Sequence, residues 1–413
     1  SYFTPGDALA LAGELGEAME FHENRRIRAR DIGFLQAERE ALIKLGSTRE
    51  RAGNLGEARK AYLEAVRIDR RPPGPQVGNL AESLSALGSL ELRAGNWSRA
   101  EDLFLEARKT ANPYELNQSW RIERSLAAVS AARGKKDLAE RHFELALSAL
   151  EGGRERLRPE EFALRFGIDR LRVYDEYASF LAGRAIETGA ERDAEKALMV
   201  VERRRAQALW DLMALGWAGL PPDVVPEQMR RARQAEARIA AKLGILRDQF
   251  SLPPEKRNDV LISTLESDLK EAKEEHARLL TVLAQGKFRF TSPSPVPPAL
   301  IAEARKKLRP DRILLEYLVT DAEAYAFVLS STGLTVSRLP ANRQELRRDI
   351  QGLVQPYYRL PSGEADLSRL GFDFSTAYRL YTRLVAPIEP RLAGASRIMI
   401  VPDDALHYLP IEL

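Results

Sequence analysis

Gly53-Asn54-Leu55, Gly95-Asn96-Trp97 and Gly134-Lys135-Lys136 decide the fold, because the residues around them recur in register. Five residues after each glycine stands an alanine: Ala58, Ala100 and Ala139. Nine after it stands an aromatic ring, on Tyr62, Phe104 and Phe143. Twelve after it stands alanine again, at Ala65, Ala107 and Ala146. Eight and seven residues before it, leucine precedes a tiny residue: Leu45-Gly46, Leu87-Gly88 and Leu126-Ala127. A weaker copy centres on Gly189, with Leu181-Ala182 before it and Ala194, Leu198 and Val201 after it.

This pattern predicts paired helices. One amphipathic helix brings a tiny residue to a close approach, a glycine permits the turn, and a second helix packs its Ala-aromatic-Ala face back. A single hairpin of this kind leaves an apolar face open, so successive hairpins must stack into a solenoid. The segments resemble tetratricopeptide repeats with lengthened helices or loops. The expected fold class is mainly α: a tetratricopeptide-like α-solenoid over 38–220, preceded by a helical cap over 1–37. In the cap, Gly13, Ala18 and His22 form a poor copy of the repeat.

Downstream, Glu202-Arg203-Arg204-Arg205 sits on a continuing helix. A triple arginine can bind phosphate, but a solvated face with one or two interdomain ion pairs is the favoured reading in so neutral a chain. Residues 221–290 read as an antiparallel helical hairpin. Met229, Ala232, Glu236, Ile239, Leu243, Leu246 and Phe250 form one heptad seam. Leu265, Leu269, Ala272, His276, Leu279 and Leu283 form the other. Glu236 and His276 interrupt the two seams and are expected within one helical turn of each other. Residues 291–298 are a Pro-rich linker. Beyond it the period falls toward two, predicting strands over 312–319, 324–330 and 334–339 and helices around 343–357 and 374–392. Arg397-Ile398-Met399-Ile400-Val401 is a continuous apolar run of the kind found in buried strands, and Asp403-Asp404 reads as a turn and helix cap.

The order of these pieces resembles the CHAT family, caspase-like domains preceded by tetratricopeptide repeats. The resemblance rests on Glu202 to Leu212, Leu314-Leu315-Glu316-Tyr317, the Leu380, Tyr381, Leu384 and Pro387 spacing, and Ile400 to Pro410. It implies that 299–413 is the N-terminal part of a partial α/β caspase-like domain. It implies also that the parent is a cysteine peptidase in which a histidine activates a thiolate. The chain departs from the family at that point. It contains no cysteine, and the His-Gly and Ala-Cys segments of the family would follow Leu413. His407 belongs to the segment before them, so no catalytic residue is assigned.

Composition narrows the remaining choices. Sixty-three basic against 60 acidic residues leave a net charge of +3, too little to steer the chain to nucleic acid or a membrane surface. The most apolar stretch, 209–225, carries Asp211 and two prolines and is no membrane span. The start of the chain lacks the pattern of a signal peptide. Absence of cysteine fits a reducing, cytoplasmic setting. No phosphate loop, zincin motif or calcium loop occurs. The four histidines, at 22, 142, 276 and 407, are scattered, so no metal or cofactor is expected.

Two functions remain open. One is the sensor and scaffold portion of a caspase-like peptidase, whose missing C-terminal peptidase segment is a partner or a continuation of the reading frame. The other is a non-enzymatic protein-interaction scaffold. In either, a protein or peptide partner is expected on the concave face, at positions that include Glu40, Ile43, Arg51, Glu82, Ser85, Arg93, Arg121 and Arg124. Arg51, Arg93, Arg121 and Arg124 are the candidate peptide-binding residues, suited to an acidic or C-terminal peptide. The competing reading is that the solenoid braces the rest of its own chain.

Overall fold

The computed structural model describes residues 4–71, 79–112, 116–154, 169–218, 258–285, 299–358 and 373–409, with scattered positions between 231 and 249. The chain forms two compact units, each assembled from two segments. Ser1–Gly167 joins Ala214–Thr291, and Ile168–Met213 joins Ser292–Leu413. The architecture is mainly α, a tetratricopeptide-like solenoid plus a small mixed sheet.

The first unit begins with paired helices. They are α1 (Pro5–Ala12), α2 (Leu15–Asp31), α3 (Leu35–Arg51), α4 (Leu55–Asp69), α5 (Asn79–Arg93), α6 (Trp97–Thr110), α7 (Leu116–Ala132) and α8 (Lys136–Arg154). The turn glycines Gly53, Gly95 and Gly134 have φ of 81°, 78° and 71°, a region costly for any side chain. The glycines seven residues earlier serve contact instead. A Cβ on Gly46 would stand 2.5 Å from Cε1 of Tyr62, and one on Gly88 would stand 2.8 Å from Cε1 of Phe104. The repeat alanines and rings are all buried, and Ala58, Tyr62, Ala100, Phe104 and Ala107 share one core with Leu84, Leu87 and Leu126. Burying each such ring is worth about 2–3 kcal/mol.

The helices α1 and α2 share this geometry despite their poor sequence match. Gly13 has φ 91°, Ala18 and His22 are buried, and a Cβ on Gly6 would stand 2.7 Å from Cε1 of His22. An imidazole thus takes the place of the aromatic ring.

The later segment of this unit contains α11 (Asp259–Gln285). Ile239 and Leu246 are buried with Ile262, Leu265, Leu269 and Ala272. Arg238 pairs with Glu275 at 3.4 Å and Lys242 with Asp268 at 2.5 Å. The partner number falls as the first rises, so the two stretches run antiparallel. Glu236 and the side chain of His276 lie outside the described residues, as does the 291–298 linker.

The second unit joins α9 (Asp169–Thr188) and α10 (Glu191–Ala218, of which 191–213 belong here) to the C-terminal region. That region comprises α12 (Leu300–Lys307), β1 (Arg312–Val319), β2 (Ala324–Leu329), β3 (Leu334–Leu339), α13 (Arg343–Tyr358), α14 (Phe374–Leu384), α15 (Glu389–Leu392) and β4 (Arg397–Val401). A short 3-10 helix, Asp404–Tyr408, follows. The sheet order is β3-β2-β1-β4, with β1 to β3 antiparallel and β4 parallel to β1. One face of β1, formed by Ile313, Leu315, Tyr317 and Val319, packs with Leu346, Ile350 and Leu353 of α13 and Leu380 and Leu384 of α14.

Two sequence expectations need correction here. Arg397–Val401 is not a buried strand: it pairs with β1 on one side, and Ile398 and Met399 remain 40% and 46% exposed. An apolar run reports β-propensity, not the number of neighbours. The helix expected around 374–392 is two helices, since Pro387 has no N–H to donate.

Candidate protein-binding surface and a buried ion network

The positions expected on the concave face keep a fixed distance from the turn glycines. Glu40, Glu82 and Arg121 all lie thirteen residues before one, and Ile43, Ser85 and Arg124 ten before. Arg51 and Arg93 lie two before, at the last residues of α3 and α5. The four candidate arginines therefore occupy two levels. Arg51 and Arg93 sit at helix ends, while Arg121 and Arg124 lie eight or more residues from the end of α7, about 12 Å along its axis.

Their surroundings differ as well. Arg93, with its side chain 62% exposed, reaches back to Glu50 of α3, which also accepts from the Tyr62 hydroxyl at 3.1 Å. Arg121 lies over the Trp120 ring, 5.2 Å from its centroid, and Arg124 is half-buried. Arg51 is exposed. In the first two repeats the floor is acidic: Glu40 pairs with Arg25 at 3.0 Å and Glu82 with Arg39 at 2.8 Å. Gln36 accepts from Asn79 at 2.7 Å, joining α3 to α5. The corresponding positions of the third repeat, Arg121 and Arg124, are basic.

Beneath this surface, charged groups tie successive helices together. Arg39 approaches Asp69 of α4 at 3.6 Å, and Ser83 of α5 donates to Asp69 at 2.6 Å. Burial raises Asp69 to about 6 despite both partners. Glu91, fully buried, accepts from Arg59 at 2.8 Å and Asn96 at 2.6 Å, fixing the Gly95 turn. His142 meets Glu123 at 2.6 Å.

Sequence reasoning missed a larger network in the second unit. Arg204 of α10 pairs with Asp175 of α9 at 3.2 Å and with Asp403 just beyond β4. The other carboxylate oxygen of Asp403 accepts the Val319 N–H at 2.8 Å. Arg205 pairs with Glu316 of β1 at 2.7 Å and Glu202 at 3.3 Å, and donates to the carbonyls of Tyr317 at 3.2 Å and Pro402 at 3.4 Å. Arg343, at the start of α13, donates to the Val319 carbonyl at 2.8 Å and pairs with Asp175 at 3.2 Å and Asp404 at 3.0 Å.

A backbone argument explains the layout. Alternate residues of β1 direct their N–H and C=O groups toward β4, but the β4 ladder ends at the Glu316–Val401 pair. Tyr317 and Val319 are then left with polar groups that need partners. Arg205, Asp403 and Arg343 supply them. Burial and the neighbouring Glu202 push Glu316 well above the usual carboxylate range, against the pull of Arg205. Burial likewise raises Asp175. Burial works against the ionised form of Asp404 too, but a bidentate contact from Arg347, at 2.6 and 2.7 Å, brings it below its ordinary value.

Both short motifs therefore behave differently from their sequence readings. Arg204 and Arg205 do make ion pairs, but from a largely buried position rather than a solvated face. Asp403 heads the 3-10 helix without any capping bond from its side chain; it is an ion-pair partner instead. The available signal was a glutamate inside an apolar strand, which must find a cation.

Among the described residues no cluster of metal-ligating side chains occurs, and no helix is long and apolar enough to cross a membrane. A tetratricopeptide repeat family profile matches residues 38–112. These repeats define a protein-interaction scaffold. No curated protein matches the chain. Among solved structures it is similar to MamA, at 20% identity and a TM-score of 0.33, over 50% of this chain and 99% of that one. It is similar also to BtubC (BKLC) from P. vanneervenii, at 16% identity and a TM-score of 0.37, over 65% of this chain and 91% of that one.

Proposed function

We propose that the chain is a protein-binding scaffold whose solenoid captures an acidic or C-terminal peptide at its basic end, and that 299–413 is the N-terminal part of a caspase-like domain. The observation that carries the first half is the tetratricopeptide match over 38–112. The register of Arg121 and Arg124 in the third repeat selects the charge of the peptide. Guanidinium forks hold carboxylates bidentately, which a lysine at the same place would not do.

The second half rests on the ordered sequence resemblance to CHAT domains and is compatible with β4 lying parallel to β1 after a helical crossover. In this reading a further segment bearing a histidine and a cysteine pairs with the free side of β4, supplied by the same polypeptide or by another. A non-enzymatic scaffold is the alternative, and a reading frame lacking both residues would select it.

The test of peptide capture is the double variant R93E/R124E, titrated against labelled peptides with acidic C-termini by fluorescence anisotropy. Affinity should fall at least tenfold. Arg93 is exposed but the side chain of its partner Glu50 is only 9% exposed, so the charge-neutral pair R93Q/R124Q serves as the control. It should weaken binding as well, with a smaller loss of thermal stability than charge reversal beside Glu50 brings. Unaltered binding with a large loss of stability would identify these arginines as braces.

A further inference from the structure

We propose that Arg204 and Arg205 form a latch through which the helical pair α9–α10 holds the turn after β4, residues 402–408, closed on the end of β1. The turn is fastened mainly by side chains. Asp403 bridges Arg204 to the Val319 N–H, the Pro402 carbonyl accepts from Arg205, and Asp404 is gripped by Arg343 and Arg347. Leu406 is its one fully buried apolar anchor. Asp404 has φ 51°, a left-handed conformation disfavoured for a residue with a side chain, so the closed turn carries backbone strain that its arginine partners offset.

Buried ion pairs contribute little net stability compared with apolar packing, but removing one partner leaves an uncompensated charge. A turn held in this way has two defined arrangements, closed with the pairs made and open with them solvated. Arg204 and Arg205 are adjacent on one helix, and their partners lie on β1, on α9 and beyond β4. A shift or rotation of α10 therefore acts on Asp403, Pro402 and Glu316 together. Any ligand that binds the α9–α10 pair differently in the two arrangements would set the position of the turn.

The absence of cysteine makes the latch directly measurable, since an introduced thiol is the only one present. Ala405→Cys places a partly buried thiol in the turn, and Ser337→Cys places one in buried β3, where it reports opening of the whole unit. Labelling rates are compared with and without Arg204→Gln in the full chain, and again with Asp403→Asn, which keeps the side-chain size. The latch predicts at least tenfold faster labelling at position 405 in both backgrounds, with the rate at position 337 within twofold of its original value. Equal acceleration at the two positions would mean that the arginine merely supports the fold. No acceleration at position 405 would mean that the turn is held without the latch, by Leu406 and by the Arg343 and Arg347 contacts to Asp404. Either result overturns the proposal.

Discussion

Gly88 touches Phe104 more closely than a methyl group permits, which separates its role from that of the turn glycine seven residues on. Gly88→Ala should lower stability by about 1–2 kcal/mol, because a ring wedged in the core cannot retreat and the gain in helix propensity only partly offsets the clash. Gly56→Ala on α4 meets nothing within 4 Å and should be neutral or slightly stabilising. Urea midpoints of the two variants check both signs. These glycines were legible in the sequence because each role has a fixed distance from the next. His22 was legible only as a poor copy: its imidazole stands at the aromatic position, and a pattern written for Tyr and Phe scores it low although it is buried as they are.

At the scale of helices and strands, Asp69 is the fastening between α3, α4 and α5, and its titration should be visible in stability. Its folded value of about 6 lies above its unfolded value, so the stabilising contribution is complete below about pH 4 and is lost as the pH rises through 6. Asp69→Asn removes that slope. Between pH 4 and 7 the parent should lose on the order of 1–3 kcal/mol relative to the variant, read from denaturation curves across that range. The strands β1, β2 and β3 were legible from their alternation and turn residues, nearly to the residue. The exposure of β4 was not, since Arg397–Val401 has the composition of a central strand, and only the sheet order shows that it stands at the edge among the described strands. Nor was the Arg204–Asp403 contact, which joins residues 199 apart and is encoded in no local period.

For the whole molecule, chemistry rather than shape sets the expected activity. A caspase-type cleavage needs a thiolate nucleophile and the sequence has no cysteine, so incubation with a broad peptide library should yield no products of that thiolate chemistry by mass spectrometry. Reproducible cleavage abolished by His407→Ala would reassign that exposed histidine as a catalytic group. Each compact unit is built from two separated stretches of chain, so neither can be isolated by a single cut. This interleaving matters during synthesis. At about 5–20 residues per second, α10 leaves the ribosome some 10–40 seconds before Asp403 exists to meet Arg204. A helix presenting bare leucines for that interval would invite aggregation. A pair of arginines stays hydrated while it waits, and surrenders its water only when the carboxylates arrive.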